Sequence, residues 1–217
     1  MNTEVPMNLY GYWRSSATWR VRWGFNLKKI SYNYIPVNIL SGDNKLAAHL
    51  ARNPLGALPV LEIEPGAYLS ESLAILEWLE DTQPYSGASL YPGSPRDKAY
   101  IRSLCEVINS DTGPLQTPRT QRRHSSSNDE KAKWAVDFIR QGLDMYEKIS
   151  RPWRGTYSFG NSVTAADLCL VPQIYNALRY GINMTKDFSP LATIYDRAMQ
   201  TPECFAAAPE QQIDAVK

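Results

Sequence analysis

A run of alternating strand and helix signals fills the start of this chain and then stops, which limits the fold more than any other feature. Asn8-Leu9-Tyr10-Gly11-Tyr12 is a short strand-like run. A helix opens at Ser15-Ser16, residue types that cap helix N-termini. Asn53-Pro54-Leu55-Gly56-Ala57-Leu58-Pro59-Val60-Leu61 reads as a turn feeding a strand. Pro59 lacks the N–H that a ladder needs, so it belongs at a strand's first residue or in a tight turn, cis included. Glu64-Pro65-Gly66 turns the chain, Ala67-Tyr68-Leu69 returns as a strand, and Ser70-Glu71-Ser72 leads into an apolar-periodic helix from Leu73 to Glu80. Such alternation predicts an α/β unit with a mixed sheet.

Residues 82–95 hold Pro84, Pro92, Pro95, Gly87 and Gly93 and read as a linker. Beyond it the strand signal is gone. The spacing of Ile101, Leu104, Cys105 and Ile108 predicts a helix over 96–111, broken by Gly113-Pro114 and Thr117-Pro118. Residues 122–129 are polar and Ser-rich and read as a mobile loop. Further helices are predicted over 130–150, 164–180 and 188–200. Thr164 and Asp167 stand at N-cap and N3 spacing, so Asp167 is read as part of a capping box rather than as a catalytic acid.

Composition excludes several classes of function. The net charge of +1 over 217 residues points away from nucleic acid and polyanionic partners. No apolar run approaches the ~20 residues that span a bilayer. Met1–Pro6 lack the basic and apolar regions of a secretory leader, so the expected compartment is the cytoplasm. Three cysteines, Cys105, Cys169 and Cys204, are too few and too scattered for a disulfide framework, and there is no C-x-x-C pair. The two histidines, His49 and His124, are not at ligand spacing from a cysteine, so no metal site is expected.

The Ser15-Ser16 junction has two readings. The plain one is a helix cap. The other is chemical: hydroxyls and unpaired N–H groups at the positive end of a helix stabilise a thiolate or another anion. Glu71 and Ser72 invite the same pair of readings, as first-turn residues and as partners for an ammonium and a carboxylate. Among the early aromatics, Trp19 is assigned to packing, and Trp13 either to packing or to a pocket wall.

In order and spacing, three early pieces resemble the glutathione transferase superfamily, and within it the zeta class. They are Ser15-Ser16-x-x-Trp19-Arg20-Val21-Arg22, Asn53-Pro54 followed by Leu58-Pro59, and Glu71-Ser72-Leu73-Ala74-Ile75. Tyr157-Ser158-Phe159-Gly160 and the segment from Thr164 to Gln173 extend the match over nearly the whole chain. The resemblance implies a thioredoxin-like α/β domain over 1–86 with a four-stranded mixed sheet, and an all-helical substrate domain over 87–217. It implies glutathione as cofactor, a two-fold homodimer, and cis–trans isomerisation of a dianionic enedione acid, maleylacetoacetate or maleylpyruvate.

Carried over residue by residue, the resemblance makes Ser15 the donor to the glutathione thiolate, with Ser16 as its backup. Leu58, ahead of Pro59, pairs with the cysteinyl backbone, and Glu71 with Ser72 takes the γ-glutamyl group. Arg14, Arg119 and Arg179 match substrate-binding arginines of the maleylpyruvate-type pattern, and Arg179 is expected to reach a cleft and pair with the substrate's far carboxylate. A cysteine usually follows the serine pair in maleylacetoacetate isomerases, but here Ala17 stands in its place. Reductive dehalogenation through a protein–glutathione disulfide then lacks its thiol, whereas isomerisation does not need one. Lys45 and Arg52 both remain candidates for the glycyl carboxylate. Two competing readings are a general transferase acting on electrophiles or halogenated acids, and a transferase-like fold used only for binding.

Overall fold

The computed structural model describes residues 7–216, and the leader reading of Met1–Pro6 lies outside them. The first compact unit comprises β1 (Met7–Gly11), α1 (Ser16–Lys28), β2 (Tyr32–Pro36), α2 (Ala47–Leu50), β3 (Val60–Glu64), β4 (Ala67–Ser70) and α3 (Ser72–Thr82). The strands form one sheet in the order β2-β1-β3-β4. β1 is parallel to β2 and antiparallel to β3, and β3 is antiparallel to β4. This is the expected thioredoxin-like mixed sheet.

The register explains what the sheet is for. Tyr10 pairs with Val60, and Val60 pairs with Ser70. One row therefore crosses the end of β1, the start of β3 and the end of β4. The three segments that follow or precede this row, residues 12–15, 58–59 and 71–72, all emerge at the same end of the sheet. Glu62 ties the strands together: its carboxylate accepts from Asn8 Nδ2 at 2.9 Å, Tyr10 Oη at 3.0 Å and the Gly66 N–H at 3.1 Å.

Helix α1 is buried almost continuously from Thr18 to Phe25, including Arg20 and Arg22. Trp19, Val21, Trp23 and Phe25 join Leu9, Leu61, Ile75, Leu76 and Leu79 in the core. Burial of apolar area on this scale is the main source of stability, at roughly 25 cal/mol per Å². Trp19 is accordingly a packing residue, as expected. At the C-terminal end of α1 the fully buried Lys28 ammonium donates to Glu80 on α3 at 2.9 Å. Glu80 also accepts from the Leu90 N–H and the Ser89 hydroxyl, which pins the linker onto the unit.

The second unit spans residues 91–200 and contains no strand among the described elements. Its helices are α4 (Pro95–Glu106), α5 (Pro118–His124), α6 (Asn128–Ser150), α7 (Ala165–Arg179), α8 (Met184–Asp187) and α9 (Ser189–Met199). A π turn over Val107–Thr112 ends α4 and packs on α6 at Gly142, where a Cβ would lie 2.0 Å from Thr112 Oγ1. The capping box at the start of α7 is formed. The fully buried Asp167 carboxylate accepts from the Thr164 N–H at 2.9 Å and the Ser158 N–H at 2.8 Å.

Two expectations need correction. Residues 122–129 are not one loop: α5 runs to His124 and α6 begins at Asn128. Thr117 caps α5 with Pro118 at its first position, and Ser127 caps α6 with Asp129 and Glu130 in the first turn, so local start signals outweigh the polar composition. The division into 1–86 and 87–217 also differs from the structure, which among the described residues groups 201–216 with 7–90. Helix α10 (Pro202–Ala207) packs on α1. Arg22 Nε on α1 donates to the Ala207 carbonyl at 2.9 Å, and Asn26 Nδ2 donates to the Glu203 carbonyl at 2.9 Å.

Candidate glutathione-binding site

Ser15 is the N-cap of α1, with extended backbone, and its Oγ accepts from the Thr18 N–H at 3.2 Å. Both readings of the serine pair therefore meet in one atom. The cap uses the oxygen as an acceptor and leaves the hydroxyl proton to be donated. Ser15 lies at the end of a turn closed by its own N–H on the Tyr12 carbonyl at 3.0 Å. Ser16 is the first helical residue. Arg14 stands in the same turn with its guanidinium 5.2 Å from the centre of the Trp13 ring.

The Leu58-Pro59 peptide is cis. Leu58 precedes β3 without belonging to it, and its N–H and C=O take part in no hydrogen bond among the described residues. The segment ahead of it is held by three side chains. Asn44 Nδ2 donates to the Gly56 carbonyl at 2.8 Å. His49 Nε2 at 3.2 Å and Asn53 Nδ2 at 3.1 Å both donate to the Ala57 carbonyl. Asn53 Oδ1 in turn accepts from the Leu55 N–H at 3.1 Å. A backbone pair that is presented rigidly at a strand's head and left unused suits an extended peptide pairing in strand fashion.

Glu71 has φ 69° and ψ 112°, in the left-handed half of the map that residues with a Cβ rarely adopt. Strain of this kind costs on the order of 1–3 kcal/mol and concentrates at functional sites. The exposed Glu71 carboxylate makes no side-chain cap to α3, so the first N–H groups of that helix have no side-chain acceptor from their N-cap. Ser72 is buried, and its Oγ accepts from Arg20 Nη1 at 2.8 Å, joining the start of α3 to α1. The arrangement offers an acid for an ammonium, and beside it a hydroxyl and a helix N-terminus for a carboxylate.

The structure thus brings Arg14, Ser15, Ser16, Leu58, Pro59, Glu71 and Ser72 to one end of the first unit's sheet. The two candidates for the glycyl carboxylate differ in their surroundings. The Arg52 guanidinium lies 4.3 Å from the centre of the Tyr10 ring, held in packing, whereas Lys45 is exposed. Arg119 and Arg179 belong to the second unit and are exposed. Arg179 is the last residue of α7, with Nη1 3.4 Å from Asn176 Oδ1. Arg119 is on α5, which is joined to the end of α7 by Gln121 Nε2 donating to Tyr180 Oη at 2.8 Å. Gln116 and the buried Gln173 exchange amide hydrogen bonds nearby.

Sequence reasoning assigned no role to His49, to the Asn53 side chain, or to the buried Arg20 and Arg22. His49 and Asn53 stand four apart, which places them on one face of a helical turn, and that spacing was the available signal. The arginines sat inside a run already explained as helix.

The family profile for the glutathione S-transferase N-terminal domain matches residues 9–89. A maleylacetoacetate isomerase of Dictyostelium discoideum is 37% identical over 218 aligned positions, covering 98% of this chain and 98% of that protein. The crystal structure of maleylacetoacetate isomerase from Anaeromyxobacter dehalogenans 2CP-1, with GSH bound in its active site, superposes with a TM-score of 0.87. It is 39% identical, over 97% of this chain and 98% of that one. A holo maleylpyruvate isomerase, described as a bacterial zeta-class glutathione S-transferase, superposes with a TM-score of 0.88 at 30% identity, covering 96% of this chain and all of that one. The chain belongs to the glutathione transferase superfamily, in the zeta class that holds the maleylacetoacetate isomerases.

Proposed function

We propose that this protein is a glutathione-dependent isomerase that converts a dianionic cis-enedione acid, maleylacetoacetate or maleylpyruvate, to its trans, fumaryl form. The observation that carries the reading is the convergence of Ser15, the unpaired Leu58 backbone and the strained Glu71 on one sheet end, in a chain whose relatives bear that activity in their names. Glutathione, when bound, supplies the sulfur nucleophile that adds to the cis double bond and is expelled after rotation. The residues fit it: Leu58 offers a backbone donor and acceptor, Glu71 an anion, and the start of α3 an anion receptor.

The protein's own part is electrostatic. Ser15 donates a hydrogen bond from its hydroxyl to the sulfur and, with the N-terminus of α1, favours the thiolate. Ser16 is the second donor candidate. Arg14, Arg119 and Arg179 hold the substrate's carboxylates, since a planar guanidinium matches a carboxylate in bidentate fashion. Arg179 takes the far carboxylate. Lys45 holds the glycyl carboxylate of glutathione. Ala17 provides no thiol, and Cys105, Cys169 and Cys204 are all buried thiols outside any disulfide, so the reaction's sulfur comes from glutathione.

The working form is a homodimer in the cytoplasm. Family likeness supports the first point, and the lack of any helix among the described residues long and apolar enough to cross a membrane is compatible with the second. The test is a side-by-side assay of maleylacetoacetate and maleylpyruvate with and without glutathione, together with retention on immobilised glutathione. Retention with glutathione-dependent turnover of either acid supports the reading. Retention without turnover of either leaves a binding module, and turnover without glutathione removes the proposal.

A further inference from the structure

The turn that carries Ser15 is held from the far end of the chain. Trp13, two residues before Ser15, has both of its backbone polar groups bound by side chains. Its N–H donates to Asp214 Oδ2 at 3.0 Å, across 201 residues of sequence. Its C=O accepts from Arg22 Nη2 at 2.9 Å. The same Asp214 oxygen accepts from Tyr34 Oη at 3.2 Å, and the Arg22 guanidinium lies 5.5 Å from the centre of the Tyr34 ring. Arg22 is fully buried, and its Nε fixes the Ala207 carbonyl at the start of the C-terminal segment. Strand β2, helix α1 and that segment therefore converge on the backbone of one residue, Trp13. Asp214 and Trp13 also share a wall of the small depression formed with Tyr12, Pro36, Asn38, Leu40 and Val216.

We propose that Asp214 is a positioning residue for the thiol chemistry: by fixing the Trp13 N–H it sets the Tyr12–Ser15 turn and aims the Ser15 hydroxyl. The inference rests on the reading of Ser15 as the donor to the glutathione sulfur. The bond is partly buried, and a charge-assisted hydrogen bond to a backbone N–H is roughly twice as strong as a neutral one. The requirement is strict, because a donor displaced by about 1 Å from its reacting partner loses much of its effect. The clamp lies wholly within the first unit and touches none of the groups assigned to glutathione, so it can act only through the turn.

The test compares wild type with Asp214→Ala, Asp214→Asn, Tyr34→Phe and the control Ser15→Ala. Two readouts are used: the pKa of bound glutathione by ultraviolet thiolate absorbance, and amide exchange of Trp13 and Ser15 in the ligand-free protein. In Asp214→Ala the bound thiol's pKa should rise by about one unit, a loss of thiolate that approaches tenfold at pH values well below that pKa. Turnover should fall in parallel and recover at alkaline pH, with little change in KM for glutathione, and the two amides should exchange faster. Asp214→Asn keeps the shape and one acceptor oxygen, so it should show about half the shift, and it carries the test if the alanine variant does not fold. Tyr34→Phe should show a smaller shift still. If a folded Asp214 variant leaves both the thiol pKa and the amide exchange at wild-type values while Ser15→Ala raises the pKa, Asp214 only anchors the C-terminal segment and the inference falls. If Ser15→Ala leaves the pKa unchanged, the Ser15 reading itself is what fails.

Discussion

The two halves of the proposed reaction are built in opposite ways. In the first unit nearly every group at the sheet end is held by something buried. Ser15 caps α1, Ala57 is gripped by His49 and Asn53, Ser72 accepts from the buried Arg20, and Glu71 is kept in a strained conformation. In the second unit Arg119 and Arg179 are exposed, and Arg179 Nη1 makes only a long 3.4 Å approach to Asn176 Oδ1 of its own helix among the described residues. A shared cofactor rewards a site fixed in advance, because preorganised donors cost no reorganisation when charge develops. A substrate gripped by long guanidinium arms can change without disturbing that site. On the proposed reading the difference divides the work: sulfur activation falls to the first unit, and discrimination among dianionic acids falls mainly to the helical unit, with Arg14 as the first unit's contribution.

Substitutions can break this contrast, and the largest effect belongs to Ser15. Ser15→Ala should lower kcat by about 10²–10³-fold, the usual cost of losing one preorganised donor to a developing anion. KM for glutathione should move little, and the loss should be equal for a dianionic acid and a neutral electrophile such as chlorodinitrobenzene. Ser16→Ala should cost less. Next comes Arg179→Ala, expected to lower kcat/KM for the dianionic substrate about ten- to a hundredfold, the worth of one charge-assisted pair. The neutral electrophile should be nearly unaffected, and Arg179→Lys should restore only part of the loss because an ammonium has no fork. Equal losses for both substrates would place Arg179 in the fold rather than on the substrate, and the division of labour would go with it.

Smaller effects sharpen the picture. Asn53→Ala removes a donor to the Ala57 carbonyl and the acceptor of the Leu55 N–H, so it should loosen the segment ahead of Leu58. We expect KM for glutathione to rise a few-fold and stability to drop by about 1–3 kcal/mol, read by steady-state kinetics and denaturant unfolding. Glu80→Ala should leave turnover per folded molecule close to wild type, since Lys28 ends α1 about 20 Å along the helix from Ser15. It should still cost about 3–5 kcal/mol, because the buried Lys28 ammonium loses its partner. Burial raises the Glu80 pKa, but the Leu90 N–H, the Ser89 hydroxyl and Lys28 outweigh it and hold the carboxyl below its usual range. The sign follows: this stability is present above the unfolded carboxylate pKa and fades as pH falls through the lower folded one. The gap between wild type and Glu80→Ala in unfolding experiments should therefore narrow under acid conditions.

Much of this was legible in the residues because it is encoded locally. The Ser15 cap, the proline at the head of β3, and the Thr164–Asp167 box each depend on neighbours within a few positions, and each stands where the pattern put it. The start of α5 was encoded just as locally, by Thr117-Pro118, but the polar run that follows masked it. What stayed hidden depends on chain reversal. Nothing near Asp214 announces that it meets Trp13, and Arg22 on a helix gives no hint that it is buried against Ala207. The return of 201–216 to the first unit was hidden for the same reason, since its short helix reads like the other helices.

The central claim is that glutathione is a recycled cofactor of an isomerase, and a mass balance tests it most directly. The protein would be given a small, known amount of glutathione and a large excess of maleylacetoacetate or, separately, maleylpyruvate. Fumaryl product and free glutathione would be counted together at the end. The account predicts product in many-fold excess over glutathione, glutathione fully recovered, and no conversion when it is left out. Glutathione consumed one for one with product, or conversion that proceeds without it, would contradict the account.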